Sequence, residues 1–144
     1  MIDHLFKIKL CHWDPAVRLL TSKALNGLTS LDIDYMKSTV IPYLLENSMD
    51  QRNVQLRHGS VLGLAEIVLA FGSIKVLEER ELETLLSSAQ LTSIAELVPM
   101  IEKKRLYRGK GGEQMRAAVC RLIECIATTE IPLTVPQQVS PRGS

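Results

Sequence analysis

Apolar residues recur at helical spacing along nearly the whole chain. Ile2, Leu5, Phe6, Ile8 and Leu10 predict a short first helix ending near residues 11–13. Asp14 and Pro15 then supply an N-cap and a preset first position for a second helix over 15–30, whose inward face is Val17, Leu20, Ala24, Leu25 and Leu28. A third helix, capped by Asp32 or Asp34, is expected to run through Pro42 to about Asn47. A fourth opens at Asn53 and reaches about Phe71, with Gly72 as its stop. It is apolar nearly all round, from Leu56 through Val61, Leu62, Leu64, Ala65, Ile67, Val68 and Leu69, as expected of a helix buried on several sides. A fifth main helix is expected from about Thr92 to Leu106, and a last one from Glu113 to Ala127 after the turn Gly109-Lys110-Gly111-Gly112.

The pattern repeats. Val17-Arg18 to Leu28 aligns with Leu56-Arg57 to Ile67 and with Met115-Arg116 to Ile126, so that Leu20, Ala24, Leu25 and Leu28 match Gly59, Gly63, Leu64 and Ile67, then Ala118, Leu122, Ile123 and Ile126. Before the second and third runs stands an apolar segment holding a proline, around Pro42 and Pro99, which suggests a bend in each outer helix. Such helix pairs cannot bury one apolar face alone and stack into a solenoid. The fold class read from this is all-α, a HEAT/armadillo-like helical-repeat solenoid over residues 1–129 with a flexible tail over 130–144. The 39 positions from Arg18 to Arg57 fit one helix pair; the 59 from Arg57 to Arg116 leave room for an inserted helix near 77–89. Gly59 and Gly63, four apart in the most apolar helix, are expected where a neighbouring helix comes close.

Composition changes this picture little. Aromatics make up 4% of the 144 residues, which favours helices over a β-sandwich. A net charge of +1 speaks against a general nucleic-acid binder. Cys11, Cys120 and Cys125 form no metal-ligand pair, Cys120 and Cys125 reading as small packing groups, and the odd count suits a reduced cytoplasmic setting. The longest apolar stretch, interrupted by Glu66, reads as too short for a bilayer, and the first residues as no cleavable signal. Met1 in an amphipathic helix and a tail with no covering helix lead us to expect exposed apolar edges at both ends.

Candidate chemistry is sparse. The glycine turn at 109–112 lacks phosphate-loop spacing and a preceding strand. His4, His12 and His58 give no metal spacing, and no nucleophile stands beside a base, so no catalytic residue, metal or cofactor is implied. Glu78, Glu79, Glu81 and Glu83 suit the N-terminus of the inserted helix. Glu66 is expected to reach solvent or meet an arginine of a neighbouring repeat. The densest basic cluster, Lys103, Lys104, Arg105, Arg108 and Lys110, is either a solvated helix end or a docking patch for an acidic protein surface.

Three stretches carry a resemblance: His12-Trp13-Asp14 through Val17-Arg18 and Ala24-Leu25, RHGSVLGLAEI from Arg57 to Ile67, and LYRGKGGEQMRAAVCRLIE from Leu106 to Glu124. Together they resemble the tubulin-folding cofactor D family over most of the chain up to about Glu130. The family's members are much longer, so the chain looks like an internal fragment or a short product of such a protein. The resemblance implies a HEAT-repeat scaffold that takes up β-tubulin after chaperonin release and supports α/β-heterodimer assembly. It also implies joint action with other tubulin-folding cofactors in stimulating tubulin GTP hydrolysis, an Arf-like small GTPase as a partner, and association with microtubules or centrosomes. It carries over no individual functional residue. The alternative reading is an armadillo-type adaptor or transport module, whose groove would need a row of Asn and Trp where this chain has Trp13 alone and few asparagines.

Overall fold

A computed structural model describes residues 1–109 and 111–132; Lys110 and residues 133–144, which hold nearly all of the expected tail, lie outside the described residues. The order is α1 (Ile2–Lys7), a 3-10 turn (Lys9–Cys11), α2 (Pro15–Leu28), a second 3-10 turn (Thr29–Leu31), α3 (Ile33–Tyr35), a π-helical turn (Met36–Val40), α4 (Ile41–Asn47), α5 (Val54–Leu77), α6 (Leu82–Leu85), α7 (Ser88–Lys103) and α8 (Gly112–Thr129). Among the described residues every regular element is helical.

Side-chain caps set the helix starts. Asp14 accepts the Ala16 N–H at 2.9 Å, Asn53 accepts that of Leu56 at 3.0 Å, and Ser87 accepts that of Gln90 at 3.2 Å. Asp32, and not Asp34, caps α3 through the Tyr35 N–H. Ahead of Pro42 the helix widens into the π turn. Proline offers no N–H to the carbonyl four residues back and its ring crowds that carbonyl, and a wider turn relieves both. Pro99 instead lies within an unbroken α7, so the two prolines are accommodated differently.

The helix stops depart from glycine logic. α5 runs through Gly72 to Leu77, because a Cβ at Gly72 would stand 2.7 Å from the Thr129 Oγ1 of α8: this glycine admits a neighbour and does not end the helix. α5 stops at a Schellman turn, with the Arg80 N–H donating to the Lys75 carbonyl and Glu79 left-handed at φ 50°. α7 and α8 end the same way, through Leu106 to Ile101 with Arg105 at φ 55° and through Ile131 to Ile126 with Glu130 at φ 66°. The inserted helix shrinks to the four residues of α6, since Leu77 and its neighbours belong to α5, and α7 starts earlier and ends earlier than expected. Glu78 and Glu79 therefore cap a helix C-terminus, with Glu78 paired to Arg80 at 3.3 Å; only Glu81 and Glu83 stand at the start of α6.

α5 is the hub. It packs chiefly on α8 and α2, then on α4 and the first 3-10 turn, while α7 touches α8 and α4. At 24 residues it is long and apolar enough to cross a membrane, contrary to the sequence reading, but 72% of its apolar window is buried in the protein's own core. A Cβ at Gly59 would fall 1.6 Å from the Leu10 carbonyl oxygen, and one at Gly63 would meet the side chains of Leu10 and Leu44 at 2.7 and 3.3 Å. Both glycines thus sit at close approach, as the sequence led us to expect.

The recurrent arginines have a shared task. Arg18 Nη1 donates to the carbonyls of His12 and Trp13 at 2.6 and 3.1 Å, Arg57 Nη1 to that of Asp50 at 2.6 Å, and Arg116 Nη1 to that of Tyr107 at 3.2 Å. Each ties its helix to the connection just before it, satisfying backbone acceptors that have no helical partner. Arg18 and Arg57 are buried by this; Arg116 remains exposed.

One expected face is turned. In α2 the buried positions are Arg18, Thr21, Ser22 and Leu25, while Leu20 is 70% exposed and Ala24 is exposed too. The polar residues enter at low cost because Thr21 and Ser22 return their hydroxyl protons to the carbonyls of Val17 and Leu19 at 2.7 and 2.6 Å. Ile123, matched to Leu25 in the repeat alignment, is likewise on the outside of α8, as is Cys120; Cys125 is buried. Exposed large apolar side chains include Ile8, Leu19, Leu20 and Leu31 beside the first helix pair, Met100 and Ile123 on the last, and Val76 and Leu77 at the end of α5.

Candidate functional site

The basic cluster begins at the C-terminus of α7. Lys103 is its last residue, Lys104 the cap, Arg105 the left-handed turn residue and Arg108 part of the following connection. All four are exposed, and among the described residues none forms an ion pair. Lys110 lies outside the described residues. Four cations at the carbonyl end of a helix are favoured there by its dipole and stay available to solvent.

A second polar cluster joins three helices. Glu66, 3% exposed near the middle of α5, accepts from Arg121 Nε of α8 at 3.0 Å, from Lys23 Nζ of α2 at 3.4 Å and from Asn26 Nδ2 of α2 at 3.2 Å. Burial works to raise its pKa, but the hydrogen bonds from Arg121 and Asn26 and the charges of Arg121 and Lys23 outweigh it and hold the carboxyl below its ordinary value. Arg121 is also paired with Glu124. This is the arginine of a neighbouring helix that a mid-helix glutamate requires. Over it lies a largely apolar groove of about 380 Å³ between α2 and α8, with Leu19, Leu62 and Ala117 in its walls.

His58 escaped the sequence reading. Its Nδ1 accepts from Arg18 Nε at 3.0 Å, and burial first, then the Arg18 charge, push its pKa down to about 4. The imidazole is therefore neutral at pH 7 and serves as an acceptor for a buried guanidinium. The only sequence signal was the recurrence of Arg18 and Arg57, which gave no hint that His58 meets Arg18 across 40 positions.

Nothing in this arrangement sets a nucleophile against a base. Among the described residues no group of three or more His, Cys, Asp or Glu could hold a metal ion. What the described surface offers is exposed cations and grooves.

Over 133 residues, 92% of its length, the chain is 29% identical to a curated protein of Dictyostelium discoideum. It is similar to tubulin-specific chaperone D. The matched region spans 8% of that relative's length, so the chain corresponds to a small part of it. No protein-family model and no solved structure matches the chain. The similarity to chaperone D agrees with the resemblance carried by Arg57 to Ile67 and Leu106 to Glu124.

Proposed function

We propose that the chain is a scaffold segment of a tubulin-folding chaperone, acting by binding and not by bond chemistry. The observation that carries the reading is the similarity to tubulin-specific chaperone D over 92% of this chain. In this reading the pairs α1–α2, α4–α5 and α7–α8 are HEAT-like units piled side by side. Supporting it, α2 and α8 flank α5, α7 reaches α4, and each pair has an arginine tied to its own connection. The segment takes up β-tubulin during post-chaperonin assembly of the α/β heterodimer. Other tubulin-folding cofactors, stimulation of tubulin GTP hydrolysis and an Arf-like small GTPase belong to the longer assembly in which it works, in the cytoplasm at microtubules and centrosomes.

The exposed cations Lys103, Lys104, Arg105 and Arg108 are the docking patch in this reading, with Lys110 beside them in sequence. The experiment is capture of purified β-tubulin by the isolated chain, with the triple variant K103E/K104E/R105E in parallel. Salt-sensitive capture that the variant loses is the expected result. No capture by the wild-type chain refutes tubulin binding by this segment, and equal capture by both proteins refutes the patch.

A further inference from the structure

The starts of α2, α5 and α8 meet at one end of the molecule. There a cleft of about 720 Å³ is lined by Trp13, Pro15, Arg18, Arg52, Gly111 and Gln114, together with the first turn of α5. α2, α5 and α8 all point their N-termini at it, and α8 begins at Gly111 with no side-chain cap. Asp14 caps α2 and Asn53 caps α5, so the helix end left open to an anion there is that of α8.

The side chains add positive charge. Arg18 is 2% exposed, yet each of its hydrogen bonds goes to a neutral acceptor: the carbonyls of His12 and Trp13, His58 Nδ1, and Gln114 Oε1 at 3.3 Å. Among the described residues no carboxylate pairs with it, and burial lowers its pKa with Asp14 only partly opposing. A buried cation without a counter-ion is costly, and an incoming anion would relieve the cost. Arg52, exposed just before α5, forms no ion pair among the described residues either. No carboxylate side chain lines the cleft. Of the three acids beside it in sequence, Asp14 is held by the Ala16 N–H and Asp50 by the N–H groups of Arg52 and Asn53, while Glu113, in the first turn of α8, is exposed and does not line the cleft.

Trp13 adds an apolar lip, with 73% of its surface exposed. Indole and guanidinium side by side are characteristic of protein-recognition surfaces, and the volume is many times that of a single carboxylate. We propose that this cleft binds an acidic peptide segment of a partner protein, with a carboxylate seated between Arg18, Arg52 and the open N-terminus of α8 while Trp13 packs on the adjoining residue. The proposal goes beyond the tubulin reading: it concerns a different surface from the exposed Lys103–Arg105 patch and stands whichever protein supplies the segment.

Trp13 is the one tryptophan of the chain, so its emission reports on the cleft directly. The test is titration of the full chain with a ten-residue glutamate peptide, following Trp13 emission and measuring affinity by calorimetry. Parallel titrations use sodium sulfate and a ten-nucleotide single-stranded DNA. Circular dichroism verifies that each variant is folded. The expected result is a saturable shift of Trp13 emission with the peptide, weakened by salt and weakened at least about tenfold by R52E, as reversal of a cation facing a bound carboxylate requires. R80E makes the same charge change beyond the far end of α5, about 36 Å from the cleft at 1.5 Å per residue, and should leave affinity within about twofold. No peptide binding, binding without a Trp13 response, equal loss in both variants, or a response to sulfate or DNA matching that of the peptide would each overturn the proposal.

Discussion

Replacing Gly59 by alanine tests the packing at the heart of the fold. In an open helix position the change is favourable by about 1 kcal/mol, because alanine loses less backbone entropy. At Gly59 the added Cβ would stand 1.6 Å from the Leu10 carbonyl oxygen and 2.7 Å from its carbonyl carbon. These are backbone atoms of a 3-10 turn whose Leu10 side chain is fully buried, so no rotamer change clears them. α5 and the turn must part by about 1.4 Å to restore even a 3.0 Å contact. Overpacking of a close-packed interior costs about 1–3 kcal/mol, and more where backbone must move, so the net effect of G59A is a loss of at least about 2 kcal/mol. Gly27 is the control: it lies exposed in α2 with nothing within 4 Å of its Cβ position, and G27A should gain about 0.5–1 kcal/mol. Urea unfolding followed by far-UV circular dichroism should therefore place the two midpoints about 1–3 M apart, taking a slope of about 1–3 kcal/mol per molar urea. A G59A midpoint at or above that of wild type refutes the close approach.

Acid should destabilise the protein through His58. Its folded pKa of about 4 lies below the unfolded value of 6.5, so its contribution is intact at pH 7 and is lost as pH falls from about 6.5 to about 4. Integrated over that window the loss is about 3 kcal/mol; unfolding midpoints that stay flat from pH 7 to 4.5 would contradict it. Glu66, with its pKa lowered in the folded state, adds a loss in the same direction at lower pH. Arg121→Ala leaves Glu66 with the half-exposed Lys23 and with Asn26, and should cost about 1–2 kcal/mol in urea unfolding. A smaller loss in the background of Glu66→Gln, read as a double-mutant cycle, would identify the pair as the cause. Glu79→Gly removes the Cβ from a left-handed position at φ 50° and should raise stability by about 1 kcal/mol; a lower thermal midpoint would count against the Schellman turn.

Much of the local structure was legible. Asp14-Pro15, Asn53 and the all-round apolar run after Leu56 fixed the starts of α2 and α5 and the central place of α5, because caps and periodicity act over a few residues. Glu66 had either to reach solvent or to meet an arginine, because a buried lone carboxylate is too costly, and it meets Arg121. Helix ends were less legible: Gly72 has the composition of a stop, yet only the presence of Thr129 on α8, 57 positions away, shows that it makes room for a neighbour. The cationic cleft was hidden as well, since Trp13, Arg52 and Gly111 are far apart in the chain and only the up-and-back course of the pairs brings the starts of α2, α5 and α8 together.

Sequence alone determined that the chain is helical and where α2, α5 and α8 begin, since hydrogen bonding and solvation within a turn or two of helix decide each of these; which cations meet Glu66 was decided by the packing of α2 and α8 on α5. Tertiary structure decided which face of α2 turns inward. Thr21 and Ser22 could satisfy their hydroxyls on their own helix, so the face carrying Arg18 went inward and left Leu20 outside. That choice was settled by what Arg18 could reach once folded, the carbonyls of residues 12 and 13 and the imidazole of His58, and no periodicity of apolar residues records it.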